Sequence, residues 1–197
     1  GNIRFNSYLS IATDGTVTIM SHTPELVQNI ITSFPMVVAE ELEADWKKVK
    51  VLQANLDNKF DRQLTGGSGA VPHSWKLLRN AGATAKFMLI EAAAKVWSVP
   101  SSECSAANSF VIHSKSGKKL SYGELAEAAS KIPVPASVKL KDRKDFKLIG
   151  KSVRNVENRK IVTGQPLFGL DFYREGMVYA MIQRPEQFGM KLKSFDG

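Results

Sequence analysis

The chain has 197 residues, 43% of them hydrophobic, enough to bury a real core in one large or two small domains. Its 27 basic and 19 acidic residues leave a net charge of +8, which favours anionic partners without choosing among nucleic acid, phosphate cofactors and acidic proteins. A single cysteine, Cys104, excludes an internal disulfide and any cysteine-built zinc or iron–sulfur cage, and reads as a small filler.

Taken in chain order, Tyr8, Leu9 and Ile11 alternate with polar residues, Asp14-Gly15 makes a turn, and Val17, Ile19 and Met20 resume the alternation, which predicts a hairpin. The polar stretch "PELVQN" then leads into a helix over about Ser33 to Ala44, with Met36, Val37, Leu42 and Trp46 near helical spacing and Glu40, Glu41 and Glu43 on the other side. The helix begins close after Gln28, with Pro35 expected in its first turn, where an absent N–H costs nothing.

"KVKVLQAN" alternates as a strand, and the glycine-rich run to His73 reads as a loop. A long helix follows over roughly Ser74 to Trp97, expected to be interrupted at Gly82; its small residues on several faces predict close packing at the centre of the domain. A short hairpin around Ser116-Gly117 precedes a helix capped by Ser121 with Glu124 three residues on, a capping box. Beyond "PVPASVKL" the pattern breaks. The reading is a domain over 1–132, a linker over 133–150 and the incomplete beginning of a second domain over 151–197, whose one clear strand is expected over Met177 to Gln183.

Two loops open helices, "PELVQN" and "QLTGGSGAVPHS". Helix N-termini offer N–H groups to an anion, Thr65 and Ser68 add hydroxyls, and Gly66, Gly67 and Gly69 allow close approach to the backbone. The spacing is neither a P-loop nor a dinucleotide fingerprint, so the pattern by itself leaves two readings open: a flexible connector, which is the plainer one, and a cradle for a phosphate-bearing group. Glu25 reads as a solvated turn residue or a cap. His22, His73 and His113 are scattered over different elements, which fits structural or surface roles better than a metal site. The lysines between 139 and 151 are interleaved with Asp142 and Asp145 and lack stacking aromatics, so a solvated linker is preferred to a nucleic-acid track. The longest apolar runs fall far short of a membrane span, Gly1 opens the chain without a charged-then-apolar leader, and no carboxylate is marked as an acid or base.

Three stretches, "DGTVTIMSHTPELVQNIITSFPMVVAEELEADWKKVKV", "QLTGGSGAVPHSWKLLRNAGATAK" and "FKLIGKSVRNVENRKIVTGQPLFGLDFYREGMVYAMIQRP", resemble successive parts of the molybdopterin-binding large subunit of the xanthine dehydrogenase and aldehyde oxidase family. Their order resembles the isoquinoline 1-oxidoreductase-like branch, with a pterin-binding segment ahead of the entry to the hammerhead domain. The resemblance implies an α+β chain: a hairpin and helices forming part of a molybdopterin-binding domain, followed by the start of an α/β hammerhead domain. It implies a fragment of an oxidoreductase acting on aldehydes or N-heterocycles, inactive by itself, with a molybdopterin-type molybdenum cofactor in the full-length protein. The implied partners are an iron–sulfur small subunit, the remainder of the large subunit and a small-molecule substrate, with no nucleic acid, and the implied compartment is the periplasm, otherwise the cytoplasm.

Residue by residue, Gln28 falls where the family motif Glu-Met-Gly-Gln-Gly places a pterin-contacting glutamine, and Thr65, Gly66, Gly67 and Ser68 fall on the segment that holds the cofactor phosphates. The family's catalytic glutamate lies late in the full subunit, so no catalytic residue and no metal ligand is assigned here. Val27 and Asn29 replace the motif's two glycines, and their side chains are expected to crowd the cofactor. That departure motivates an alternative, a non-catalytic scaffold or binding protein that has lost the cofactor.

Overall fold

The computed structural model describes residues 1–194 and 196, so the expected second-domain segment 151–197 includes Phe195 and Gly197, which lie outside the described residues. The chain divides into two compact units, Gly1–Gln165 and Pro166–Gly197.

The first unit carries two small sheets packed with helices. The predicted hairpin forms as β2 (Leu9–Ala12) and β3 (Val17–Ser21), and β1 (Asn2–Arg4), too short to announce itself in sequence, pairs antiparallel with β2. From β3 the chain passes through α1 (Ile30–Leu42) and returns as β4 (Val49–Gln53), which lies parallel to β3 with Val17 opposite Val49. A parallel return needs a crossover, and α1 supplies it. The sheet order is β1-β2-β3-β4.

Helix α1 starts at Ile30, close after Gln28 as expected, which puts Pro35 in its second turn rather than its first. Its apolar face, including Ile30, Phe34, Val38 and Leu42, is buried. Each such side chain contributes about 1.5–3 kcal/mol on burial. The helix ends at Glu43, whose φ of 57° lets its N–H reach back to Ala39 and Glu40 carbonyls.

Helix α2 (Ala70–Trp97) is the expected central helix, and it runs unbroken through Gly82. A β-carbon at Gly82 would lie 2.3 Å from the Val38 carbonyl oxygen of α1. Glycine is therefore a contact residue here, letting two helices approach closely, rather than a break. Strands β5 (Cys104–Ala107), β6 (Phe110–His113) and β7 (Lys119–Ser121) form the second sheet, with the predicted turn joining the last two. Helix α3 (Tyr122–Ser130) begins with the predicted capping box: the Ser121 hydroxyl accepts from the Glu124 N–H, and Glu124 accepts from the Ser121 N–H.

Residues 141–149 are strapped to α1. Glu40 and Glu41, expected on a polar face, are 3% and 0% exposed. The Glu40 carboxylate accepts from three successive backbone N–H groups, Lys147 at 3.0 Å, Leu148 at 2.6 Å and Ile149 at 2.9 Å, and from the Lys141 ammonium. Glu41 accepts from Arg79 Nε at 2.7 Å and from the Lys141 N–H at 3.1 Å. Arg79 in turn lies over the Trp75 and Phe146 rings, 5.5 and 5.2 Å from their centroids. Lys141, read from sequence as solvated, is therefore half-buried in an ion-pair network, its side chain 9% exposed. Further along, the Val156 N–H donates to Thr32 Oγ1 at 3.0 Å, and α4 (Asn158–Val162) closes this unit.

In the second unit the strand expected over Met177 to Gln183 does not form. Its apolar residues stand in solvent, Met181 at 98% and Ile182 at 83% exposure. A strand requires a neighbour for its N–H and C=O groups, and among the described residues nothing pairs with this segment.

Candidate functional site

Because β3 and β4 run parallel, their C-terminal ends lie side by side, and the loops that leave them open at one end of the sheet. Loop one, residues 22–29, leads into α1, and loop two, residues 54–69, leads into α2. Buried packing pins both. His22 is fully buried, its ring stacked on Phe34 at 4.9 Å with Tyr8 edge-on at 5.2 Å, and its Nε2 lies 3.2 Å from the Ser74 hydroxyl. Burial pushes the His22 pKa down, against the opposing attraction of the Asp61 charge. Gln63 donates to the carbonyls of His22 at 3.0 Å and Asn55 at 2.9 Å, and the Asp61 N–H donates to the Tyr8 hydroxyl at 3.2 Å. Loop two is thereby laid against loop one.

The sequence-selected residues meet where the two helices begin. Gln28 Nε2 lies 2.9 Å from the Pro24 carbonyl and 3.5 Å from Thr65 Oγ1, and the Thr65 hydroxyl donates to the same Pro24 carbonyl at 2.6 Å. A cavity of about 310 Å³ opens here. Gln28, Thr65, Gly66 and Ser68 line it, with Ile30, Ser33, Gly69, Ala70 and Val71. Gly67 does not reach its wall; it has a φ of 60° and makes the bend, next to Ser68 at 53°. A β-carbon at Gly66 would meet nothing within 4 Å, whereas one at Gly69 would come within 3.5 Å of the Arg62 guanidinium.

Val27 and Asn29 keep the left-handed backbone that glycine adopts freely, with φ of 73° and 70°. Neither residue is part of the cavity wall, and Val27 is 69% exposed. Sequence reading left Glu25 between turn and cap, and the geometry decides for a cap. Its two carboxylate oxygens accept from the N–H groups of Asn29 at 3.0 Å and Ile31 at 2.8 Å. Two signals were available: its place four residues before the helix cap, weak because a carboxylate near a helix start is common, and its match to the first residue of the Glu-Met-Gly-Gln-Gly motif when Gln28 takes the glutamine position.

The other histidines sit away from the cavity wall. His73 pairs with Asp61 at 3.0 Å on the surface, and His113 lies between Glu103 at 3.0 Å and Ser116 at 2.7 Å. Among the described residues no three histidine, cysteine or carboxylate side chains gather as a metal site, and no helix is long and apolar enough to cross a membrane.

The site is thus a small concave space with one side-chain amide, three hydroxyls, glycine backbone and the uncapped N-terminus of α2, which has no side-chain cap bond. Such a set suits a ligand with anionic groups at one end and an amide-like edge at the other.

Residues 5–165 match the family described as the molybdopterin cofactor-binding domain. The chain is 30% identical to isoquinoline 1-oxidoreductase subunit beta of Brevundimonas diminuta, over 97% of this chain and 30% of that protein. It is 31% identical to the membrane-bound aldehyde dehydrogenase (pyrroloquinoline-quinone) of Gluconacetobacter polyoxogenes, over 96% of this chain and 25% of that protein. The chain spans less than a third of the length of either relative. The fold is shared with CO dehydrogenase from Oligotropha carboxidovorans, with a TM-score of 0.51 and 20% identity over 61% of this chain and 15% of that one.

Proposed function

Since the chain belongs to the molybdopterin cofactor-binding domain family, we propose that it forms the pterin- and phosphate-contacting part of a molybdenum hydroxylase large subunit acting on an aldehyde or an N-heterocycle. The observation that carries this reading is that Gln28, Thr65 and Ser68, drawn from two loops 37 or more residues apart in sequence, share one cavity wall.

The cavity fits the group. Its wall supplies donors at the Ser68 hydroxyl and at the α2 N-terminus, open space over Gly66, and an amide on Gln28 that both donates and accepts, while the Thr65 hydroxyl, its proton given to the Pro24 carbonyl, offers its oxygen. In this assignment Gln28 holds the pterin edge, Thr65, Gly66 and Ser68 hold the phosphate end, and Gly67, off the wall, makes the bend that carries them. The cofactor, when bound, supplies a redox-active molybdenum centre for oxygen transfer to the substrate. The chain's own residues bind and orient: the Pro24 carbonyl fixes the Thr65 hydroxyl and the Gln28 amide relative to each other, and the Phe34–His22 stack holds loop one from beneath.

The partners of this reading are the remainder of the large subunit, an iron–sulfur small subunit that takes the electrons, and a small-molecule substrate. Periplasmic residence, otherwise cytoplasmic, is proposed from the branch alone. Metal and pterin analysis of the full-length protein, produced with its partner and with cofactor supply, tests the assignment. Molybdenum and pterin near one per chain is expected, with a large loss in Gln28→Ala and Ser68→Ala; absence from the parent under conditions that load a relative overturns it.

The alternative, a scaffold without cofactor, draws on Val27 and Asn29 standing where the family motif has glycine. The place of both residues off the cavity wall counts against it. Replacing both residues with glycine separates the readings: unchanged pterin content supports the enzyme, and pterin bound only by the double variant supports the scaffold.

A further inference from the structure

Helix α1 is capped in an unusual way. Asn29 holds the cap position, yet its φ is 70° and its own side chain makes no cap bond. A capping side chain reaches the first-turn N–H groups from extended backbone, so a left-handed Asn29 is badly aimed for the task. The Glu25 carboxylate does it from outside the helix, one oxygen on the Asn29 N–H and the other on the Ile31 N–H.

Gln28 lies inside the loop that this carboxylate closes. On either side of it Val27 and Asn29 occupy left-handed backbone, unfavourable for any residue with a β-carbon and most of all for branched valine. With glycine at both positions the bend would need little support. Without glycine it must be held by its surroundings, and the bonds that span it are those of Glu25 together with the internal contacts of Gln28 to Pro24 and Leu26.

We propose that Glu25 is a positioning residue: its carboxylate holds the strained Val27–Asn29 bend and so sets the Gln28 amide in the cavity wall beside Thr65. The ligand of that amide rests on the function proposed above, whereas the holding role does not.

The test uses full-length protein, with hydrogen exchange over residues 24–31 and pterin content measured together. In Glu25→Ala, exchange at Asn29 and Ile31 is expected to rise by about tenfold or more, the equivalent of one hydrogen bond to a charged acceptor. Exchange in α2 and α3 stays unchanged, and pterin content falls. Glu25→Gln, keeping one acceptor oxygen, falls between. Adding Val27→Gly and Asn29→Gly to Glu25→Ala is expected to restore pterin content, because glycine adopts the bend unaided; a simple loss of folding would not be rescued this way. Unaltered exchange over 24–31 in Glu25→Ala overturns the proposal, as does a loss of pterin that the glycine pair fails to restore. If the parent protein carries no pterin, the proposed function falls, and exchange over 24–31 still judges Glu25.

Discussion

The two ends of α1 are built on opposite plans. At its C-terminal end Glu40 and Glu41 are buried, and every carboxylate oxygen has partners drawn from Arg79, Lys141 and the 147–149 backbone. At its N-terminal end the residues from Pro24 to Asn29 are exposed or half-buried, two of them sit in left-handed backbone without glycine, and a cavity opens beside them. One end is clamped and the other is held under strain, so a rigid anchor and a strained site share one helix.

The largest expected effect comes from breaking the clamp. Glu40→Ala takes from the Lys141 ammonium one of its two carboxylate partners, leaving Glu43, and deprives three backbone N–H groups of their acceptor, and should cost about 3–5 kcal/mol of stability, read from the shift in a urea or guanidinium midpoint. The same contacts set a pH dependence. Burial works to raise the Glu40 pKa, but the Lys141 ammonium and the 147–149 N–H groups outweigh it and hold the carboxyl below its usual range. A lowered folded-state value means that the stabilisation is complete above the unfolded value, about 4.3, and is lost as pH falls through the folded one. Lys141 is the mirror case: burial opposes its charge, Glu40 and Glu43 prevail and raise it, so its contribution is complete below about 10.4 and fades only above that.

Next in size is Gly82→Ala, where α2 crosses α1. The added carbon meets the Val38 carbonyl at 2.3 Å, so the helices must part. Overpacking of this kind costs about 1–3 kcal/mol, more than the gain of roughly 0.8–1 kcal/mol from replacing a helical glycine. Thermal unfolding with calorimetry should show the net loss.

Much of this fold was legible where the signal is local. The hairpin around Asp14-Gly15, the Ser121–Glu124 capping box and the long small-residue helix all rest on contacts within a few residues or on periodicity, and all three formed. The clamp was not legible. Glu40, Glu41 and Glu43 by themselves read as a solvated face, and Lys141 and Lys147 by themselves as a solvated linker; neither half carries a mark of burial until a hundred residues of chain bring them together. The site was intermediate. Its residues could be named from motif resemblance, but their meeting depends on β4 running parallel to β3, and strand alternation says nothing about direction.

At the strained end the expected change has the opposite sign. Val27→Gly removes a left-handed penalty of roughly 1–2 kcal/mol but gives the unfolded chain back about 0.4–1 kcal/mol of freedom, so a net stabilisation of up to about 1.6 kcal/mol is expected. A destabilised Val27→Gly would mean that the bend is not strained, and the contrast between the two ends of α1 would lose its basis.

The smallest effect separates the packing beneath loop one from the clamp by pH. His22 lies beneath loop one, and burial lowers its pKa, with Asp61 pulling the other way and His73 adding to the lowering. A histidine held neutral in the folded state stabilises fully above its unfolded value, about 6.5, and does so less as pH falls below it, because the unfolded chain takes up the proton first. Stability should therefore begin to decline below about pH 6.5, well before Glu40 is titrated, with a slope under one proton. In His22→Gln that first decline should vanish while the Glu40 decline, below its unfolded value of about 4.3, remains. Two separable acid transitions would show that the His22 packing beneath loop one and the clamp respond to protons independently, although both pack against the same thirteen-residue helix.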